Sequence, residues 1–214
     1  MLDKVLDSRK QKLNIWLTAW IVAAVFILTN LPTPLYPYWQ DLIHFHESGT
    51  TVIFAAYIIG LIITLSIAGQ LSVIWGHKSM LIFAIIMALM ACILFGFAQT
   101  IFLLILARIL TSISSGIALS VGMAAVMVQG RQNYNLLASL AASVAMVIGA
   151  GSGPLLSGVM MEFVENPIIT IFALEFVILC STFPVILKLT TNSSEQTKKG
   201  GGKLNYLLYR KNMF

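Results

Sequence analysis

The sequence is poor in charge. Of its 214 residues only 10% are Asp, Glu, Lys or Arg, and 58% are hydrophobic. An ordinary soluble domain carries about 25% charged residues. That shortage leaves too little polar side chain to cover a water-facing surface, and it points to a membrane protein. Cysteine is also scarce. Cys92 and Cys180 both fall inside apolar stretches, where thiols behave as small hydrophobes, so neither a disulfide framework nor a thiolate metal site is expected. His44 and His46 sit near each other but lack a third ligand, which is weak ground for a metal. No nucleophile–base pair and no nucleotide loop is visible, so no enzyme activity and no cofactor is implied.

What the sequence has in abundance is long apolar runs. A spanning helix needs about 20 mostly apolar residues. Six such segments are expected, at 13–36, 50–73, 79–98, 101–128, 136–160 and 168–188. They divide the chain into a polar lead (1–12), a helical membrane domain (13–188) and a polar tail (189–214). The first segment is too long, and its basic flank too mixed with acids, for a cleaved signal peptide. Outside the spans, Lys and Arg fall only in the lead, in the second and fourth loops (Lys78, Arg131) and in the tail. Asp41, Glu47, Glu162 and Glu165 fall in the alternate loops. The positive-inside rule then places both termini in the cytoplasm. It also explains the net charge of +5 without any nucleic-acid partner. In the tail, Asn192-Ser193-Ser194 is a glycosylation sequon without meaning on the cytoplasmic side. Leu204–Phe214 mixes apolar and basic residues, as a surface-lying segment or an unstructured end would.

Several residues stand out against the apolar background. Asn30-Leu31-Pro32-Thr33-Pro34-Leu35-Tyr36-Pro37-Tyr38-Trp39 breaks the first helix, and its aromatics suit an anchor at the outer interface or the rim of a substrate path. The third segment is featureless and expected to face lipid. Arg108 lies about seven residues into the fourth segment from its outer end. It either snorkels or faces a polar cavity. Glu175 lies at a similar depth in the sixth segment. A carboxyl there would be neutral unless paired. Arg108 and Glu175 are expected to be paired or both cavity-facing, with Glu175 able to carry a proton; the alternative is a lone acid near the interface. In the fifth segment, Gly149-Ala150-Gly151-Ser152-Gly153-Pro154-Leu155-Leu156-Ser157-Gly158 puts Gly149, Gly153 and Ser157 on one helix face, where a second helix can approach closely. Pro154 removes the hydrogen bond to the Ala150 carbonyl and bends the helix.

This last pattern, Gly-x-x-x-Gly-Pro-x-x-x-Gly, resembles the fifth-helix antiporter motif of the major facilitator superfamily, with Ser157 in place of its penultimate glycine. The loop Gly69-Gln70-Leu71-Ser72-Val73-Ile74-Trp75-Gly76-His77-Lys78 is similar to that family's signature between helices two and three. Gly69, Leu71, Gly76 and Lys78 match. Val73 and Ile74 replace the acidic and basic residues of a cytoplasmic charge gate, so any such gate is weakened here or built differently. Arg108 falls on the family's fourth-helix arginine, with Gly116 and Gly122 beyond it and Thr111 and Ser112 departing from the pattern. The resemblance covers residues 10–190.

The resemblance implies an all-α membrane fold, one six-helix half built from two inverted three-helix repeats. It implies alternating-access transport, proton-coupled and tilted toward efflux of small organic molecules across a bacterial inner membrane. Gly149, Gly153, Pro154 and Gly158 would let helices pivot, and Arg108 and Glu175 would lie in the polar pathway. The implied partners are lipid, a small-molecule substrate, a proton and a second six-helix half or a second copy. The family's full fold has twelve spans, so the chain is expected to be an N-terminal half, from a gene broken near the A- and G-rich codons of Lys198 to Lys203. A six-span assembly or scaffold protein that transports nothing is the other reading.

Overall fold

The computed structural model describes residues 2–130 and 133–188, with side chains from Ser8 onward. Arg131 and the tail from 189, with its sequon and its mixed apolar and basic end, lie outside the described residues. The described residues form helices and short connections, without strands.

The helices are α1 (Leu2–Asn30), α2 (Tyr36–Ile43), α3 (Glu47–Gly96), α4 (Ile101–Ile117), α5 (Met123–Gly130), α6 (Asn135–Phe163) and α7 (Pro167–Lys188). A single 3₁₀ turn, Thr33–Leu35, leads into α2, and a wide π turn, Ala118–Gly122, joins α4 to α5 without a break. Among the described residues, five runs are long and apolar enough to cross a membrane: Ser8–Ile43, Glu47–Gly96, Ile101–Gly130, Asn135–Phe163 and Pro167–Lys188. Six separate spans were expected. The difference arises at α3, where the segments expected at 50–73 and 79–98 run on as one helix of 50 residues. A straight helix of that length would be about 75 Å long, more than twice the hydrocarbon core of a bilayer.

Gly76 resolves the excess length. It takes φ 79° and ψ 150°, a conformation that L side chains avoid, and interrupts α3 between two arms. Packing against α4 gives the direction of each arm. Gly49 lies beside Ile101, Gly60 beside Ser112 and Thr64 beside Gly116, so the first arm runs parallel to α4. Leu81 lies beside Gly122 and Phe95 beside Arg108, so the second arm runs back. The second arm, expected to face lipid, has one exposed apolar face and one buried face. Met80, Ala84, Ala88, Ala91 and Phe95 are buried along one face, while Phe83, Ile86, Met90 and Ile93 are exposed on the other. Small alanines let this helix pack closely in a setting where lipid removes any hydrophobic drive between helices.

α1 is the central strut. α6 runs parallel to it, with Gly149 against Ala23 and Phe26 and Gly153 against Ile27 and Leu31. α7 runs antiparallel, its Ser181 hydroxyl accepting a 3.0 Å hydrogen bond from the Trp20 indole. At one end of the bundle, the Gln11 amide donates to the Gln129 carbonyl at 3.0 Å and Lys12 sits 5.2 Å from the Tyr134 ring centre. At the other end, Gly49 meets Ile101, and Gln40 donates to the Thr50 hydroxyl at 2.8 Å. Part of the loop expected at 37–49 is therefore ordered as α2. Pro37 sits in its first turn, and His44 ends it in the left-handed conformation, its N–H on the Gln40 carbonyl.

Candidate functional site

The expected interface aromatics turn inward. Tyr36 and Trp39 are buried, and of that group only Tyr38 is substantially exposed. The turn at Pro32 and the 3₁₀ turn holding Pro34 fold the chain over the end of α1, and the first turn of α2, which holds Pro37, brings Tyr36 to α4. There the Tyr36 hydroxyl accepts a hydrogen bond from Arg108 Nε. Arg108 Nη1 donates to the Thr29 carbonyl at 2.8 Å, and Nη2 meets no acceptor. Thr29 leaves that carbonyl accessible to the guanidinium while its own hydroxyl bonds back to Val25.

The guanidinium is 1% exposed, so it does not snorkel. Four rings surround it, with the guanidinium carbon 5.3 Å from the centre of Tyr36, 5.4 Å from Phe54, 5.5 Å from Tyr57 and 5.7 Å from Phe95. Cation–π contact is worth about 2 kcal/mol when desolvated. Burying an ion costs several kcal/mol, so the rings offset only part of the cost. The ring cluster continues through Tyr36–Trp39, Trp39–Phe95 and Phe95–Phe172 contacts, with centroids 5.8, 5.8 and 5.3 Å apart, and so reaches α7. Sequence reading found Arg108 because a charge in an apolar run is conspicuous. It marked the stretch with Tyr36 as an anchor or path rim without joining it to Arg108, and it missed Phe54 and Phe95, because aromatics are commonplace in apolar runs.

Glu175 is fully buried on α7, and neither carboxylate oxygen has a hydrogen-bond partner. Its nearest backbone on α1 is that of Leu28. The Cys92 thiol donates to the Phe172 carbonyl at 3.0 Å. Among the described residues no ion pair joins Arg108 to Glu175. The two groups instead pack against successive residues of α1, Thr29 and Leu28, with the aromatic cluster between their helices. A groove of about 380 Å³ between α3 and α7 is lined by Cys92, Gly96, Phe97, Phe172 and Phe176, and includes neither charge. Of the two thiols in apolar stretches, Cys92 is buried and Cys180 is exposed.

The fifth-segment motif lies on α6. Ala138, Ala142, Ala145, Gly149, Gly153 and Ser157 form one buried stripe against α1. A Cβ at Gly149 would stand 2.7 Å from the Ala23 carbonyl oxygen; one at Gly153 would stand 2.7 Å from that of Ile27 and 2.9 Å from the Leu31 nitrogen. Ser157 is buried on the same stripe and donates back to the Gly153 carbonyl at 3.1 Å. Gly151 and Gly158 face open space. Pro154 lies within α6, which continues past it to Phe163. The signature-loop residues end the first arm of α3: Leu71 packs on the core, while Gly69, Gly76 and Lys78 are exposed. Val73 is 84% exposed and Ile74 76%, at the positions of the absent charges.

Parallel and antiparallel apolar helices, glycine faces pressed on a neighbouring backbone and a guanidinium held inside the bundle define a polytopic membrane protein with charge buried in an apolar interior. A comparison with known protein families matches residues 17–213 to the Major Facilitator Superfamily, and the chain belongs to that family. It is a multi-pass membrane transporter of the major facilitator type, in a family of carriers rather than enzymes. A search of characterised proteins finds no match.

Proposed function

We propose that the protein is an alternating-access carrier that couples efflux of a small organic molecule to proton movement across a bacterial inner membrane. The observation that carries this reading is the pair of buried ionisable side chains on different helices, Arg108 on α4 and Glu175 on α7, neither joined to an opposite charge among the described residues. Ionisable groups are costly inside a membrane bundle and by default mark a transport path or proton relay. Arg108 lines the substrate route, and Glu175 takes up and releases the proton. The two arms of α3 each cross the membrane, giving six crossings arranged as two three-helix repeats. Both ends of that unit face the cytoplasm. The glycine stripe of α6 and the Pro154 position serve as the pivot on α1. A second helical unit, a further half or a second copy, completes the path.

The test is transport in proteoliposomes under an imposed pH gradient. Glu175→Gln should abolish gradient-driven movement while leaving exchange of substrate across the membrane at equal pH. Unchanged gradient-driven transport in that variant would remove Glu175 from the proton path.

A further inference from the structure

We propose that Arg108 recognises a carboxylate on an apolar or aromatic body, so that the substrate is an amphipathic organic anion. The inference rests on the carrier reading above and adds the chemical class of its cargo. A guanidinium presents five N–H donors in a planar fork matched to a carboxylate. Two edges of this fork are occupied by neutral groups, the Tyr36 hydroxyl and the Thr29 carbonyl. Those contacts fix its orientation and leave its charge uncompensated. Nη2 is left without an acceptor inside a 1% exposed side chain. No acidic side chain is hydrogen-bonded to it among the described residues. The four rings around the guanidinium attract the cation, and none of them is a hydrogen-bond partner of Nη2. A planar oxyanion would meet the free Nη2 donors and the uncompensated charge together.

The walls select what the anion is attached to. Phe54 and Tyr57 on the first arm of α3 are half-buried, unlike the enclosed Tyr36 and Phe95 on the other sides. The cage is thinnest there. The Tyr57 hydroxyl accepts a long 3.5 Å hydrogen bond from the Ser115 hydroxyl. Rotation of these two rings would admit a carboxylate to Nη2 and stack its aryl or alkyl body between them. An acidic side chain of a second copy could supply the same oxyanion, so the test separates that source from a small molecule.

The experiment is thermal unfolding of the purified full chain in detergent with three matched probes: 4-phenylbutyrate, 4-phenylbutanol and 4-phenylbutylamine. The butyrate should raise the midpoint in a saturable way, and the alcohol and amine should not. Arg108→Lys keeps the charge but loses the fork, and should weaken the butyrate roughly 10- to 100-fold. Arg108→Gln should lose the response. An amine that stabilises as well as the butyrate, or a butyrate response that survives Arg108→Gln, would overturn the proposal. So would a wild-type chain that ignores butyrate while cross-linked dimers show the raised midpoint, since the oxyanion would then be a side chain of the second copy. The wild-type comparison of the three probes stands even where Arg108→Gln fails to fold. Proton-driven transport of a cationic substrate would refute the anion class and leave the carrier reading intact.

Discussion

Arg108 is tolerated because Tyr36, Thr29 and four ring faces share the work that water would do. Each partner should therefore show a distinct cost on removal. Tyr36→Phe keeps the ring against the guanidinium and deletes the hydroxyl that accepts from Nε. That leaves a buried charged donor without an acceptor, at a cost of about 1–3 kcal/mol. Tyr38→Phe, at a 37% exposed site two residues on, should stay within about 0.5 kcal/mol of wild type. Reversible denaturation in mixed detergent micelles measures both; equal effects would mean that the Tyr36 hydroxyl contributes nothing to holding the arginine. The two charges were legible in the sequence because an apolar run makes any ionisable group conspicuous. Their surroundings were not. Tyr36 and Trp39 lie in a proline-rich stretch at the end of a span, where an aromatic belt and a folded-in plug have the same composition, and only the path of the chain after Pro32 separates the two.

At the scale of helices, the small residues of α6 sort by what faces them rather than by their place in the motif. Gly149→Ala and Gly153→Ala would each set a methyl 2.7 Å from a backbone oxygen of α1, an atom that cannot rotate away. Such overpacking costs about 1–3 kcal/mol. Gly151→Ala and Gly158→Ala meet open space, and should be neutral or stabilise by about 0.5–1 kcal/mol through the better helix propensity of alanine. Denaturation midpoints of the four variants decide this, and a loss at Gly158 equal to that at Gly153 would reject the close-approach account. Gly76→Ala makes a different point. No atom lies within 4 Å of its added methyl, so any cost is the backbone conformation at φ 79°, about 1–3 kcal/mol. The stripe on α6 was readable because glycine, alanine and serine at helical spacing contrast with the leucines and valines around them. The buried face of the second α3 arm was not readable. A helix that is apolar all round carries no asymmetry from which its inner side could be predicted.

At the scale of the whole molecule, the charges that alternate along the sequence collect in space. Helix directions bring Arg9, Lys10, Lys12 and Lys78 toward one end of the bundle, with the segment around Gln129 and Tyr134. Asp41, Glu47, Glu162 and Glu165, all exposed, lie toward the other. This segregation depends on the reversal at Gly76, because a continuous α3 would carry Lys78 and the Gln99–Thr100 link onward in one direction. The reversal makes a prediction that labelling can check. In a chain with Cys92 and Cys180 replaced by serine, single cysteines are placed as Lys12→Cys, Glu47→Cys, Lys78→Cys, Gln99→Cys and Glu162→Cys. An impermeant maleimide added to intact cells should modify the sites at 47, 99 and 162. The sites at 12 and 78 should react only in inverted vesicles, as basic loops kept on the cytoplasmic side would. Sites 47 and 99 bracket α3, so their reaction from one side while 78 reacts from the other requires both arms to cross. Labelling of 78 from outside together with 47 would mean that the first arm does not span, and a six-crossing arrangement would fail with it.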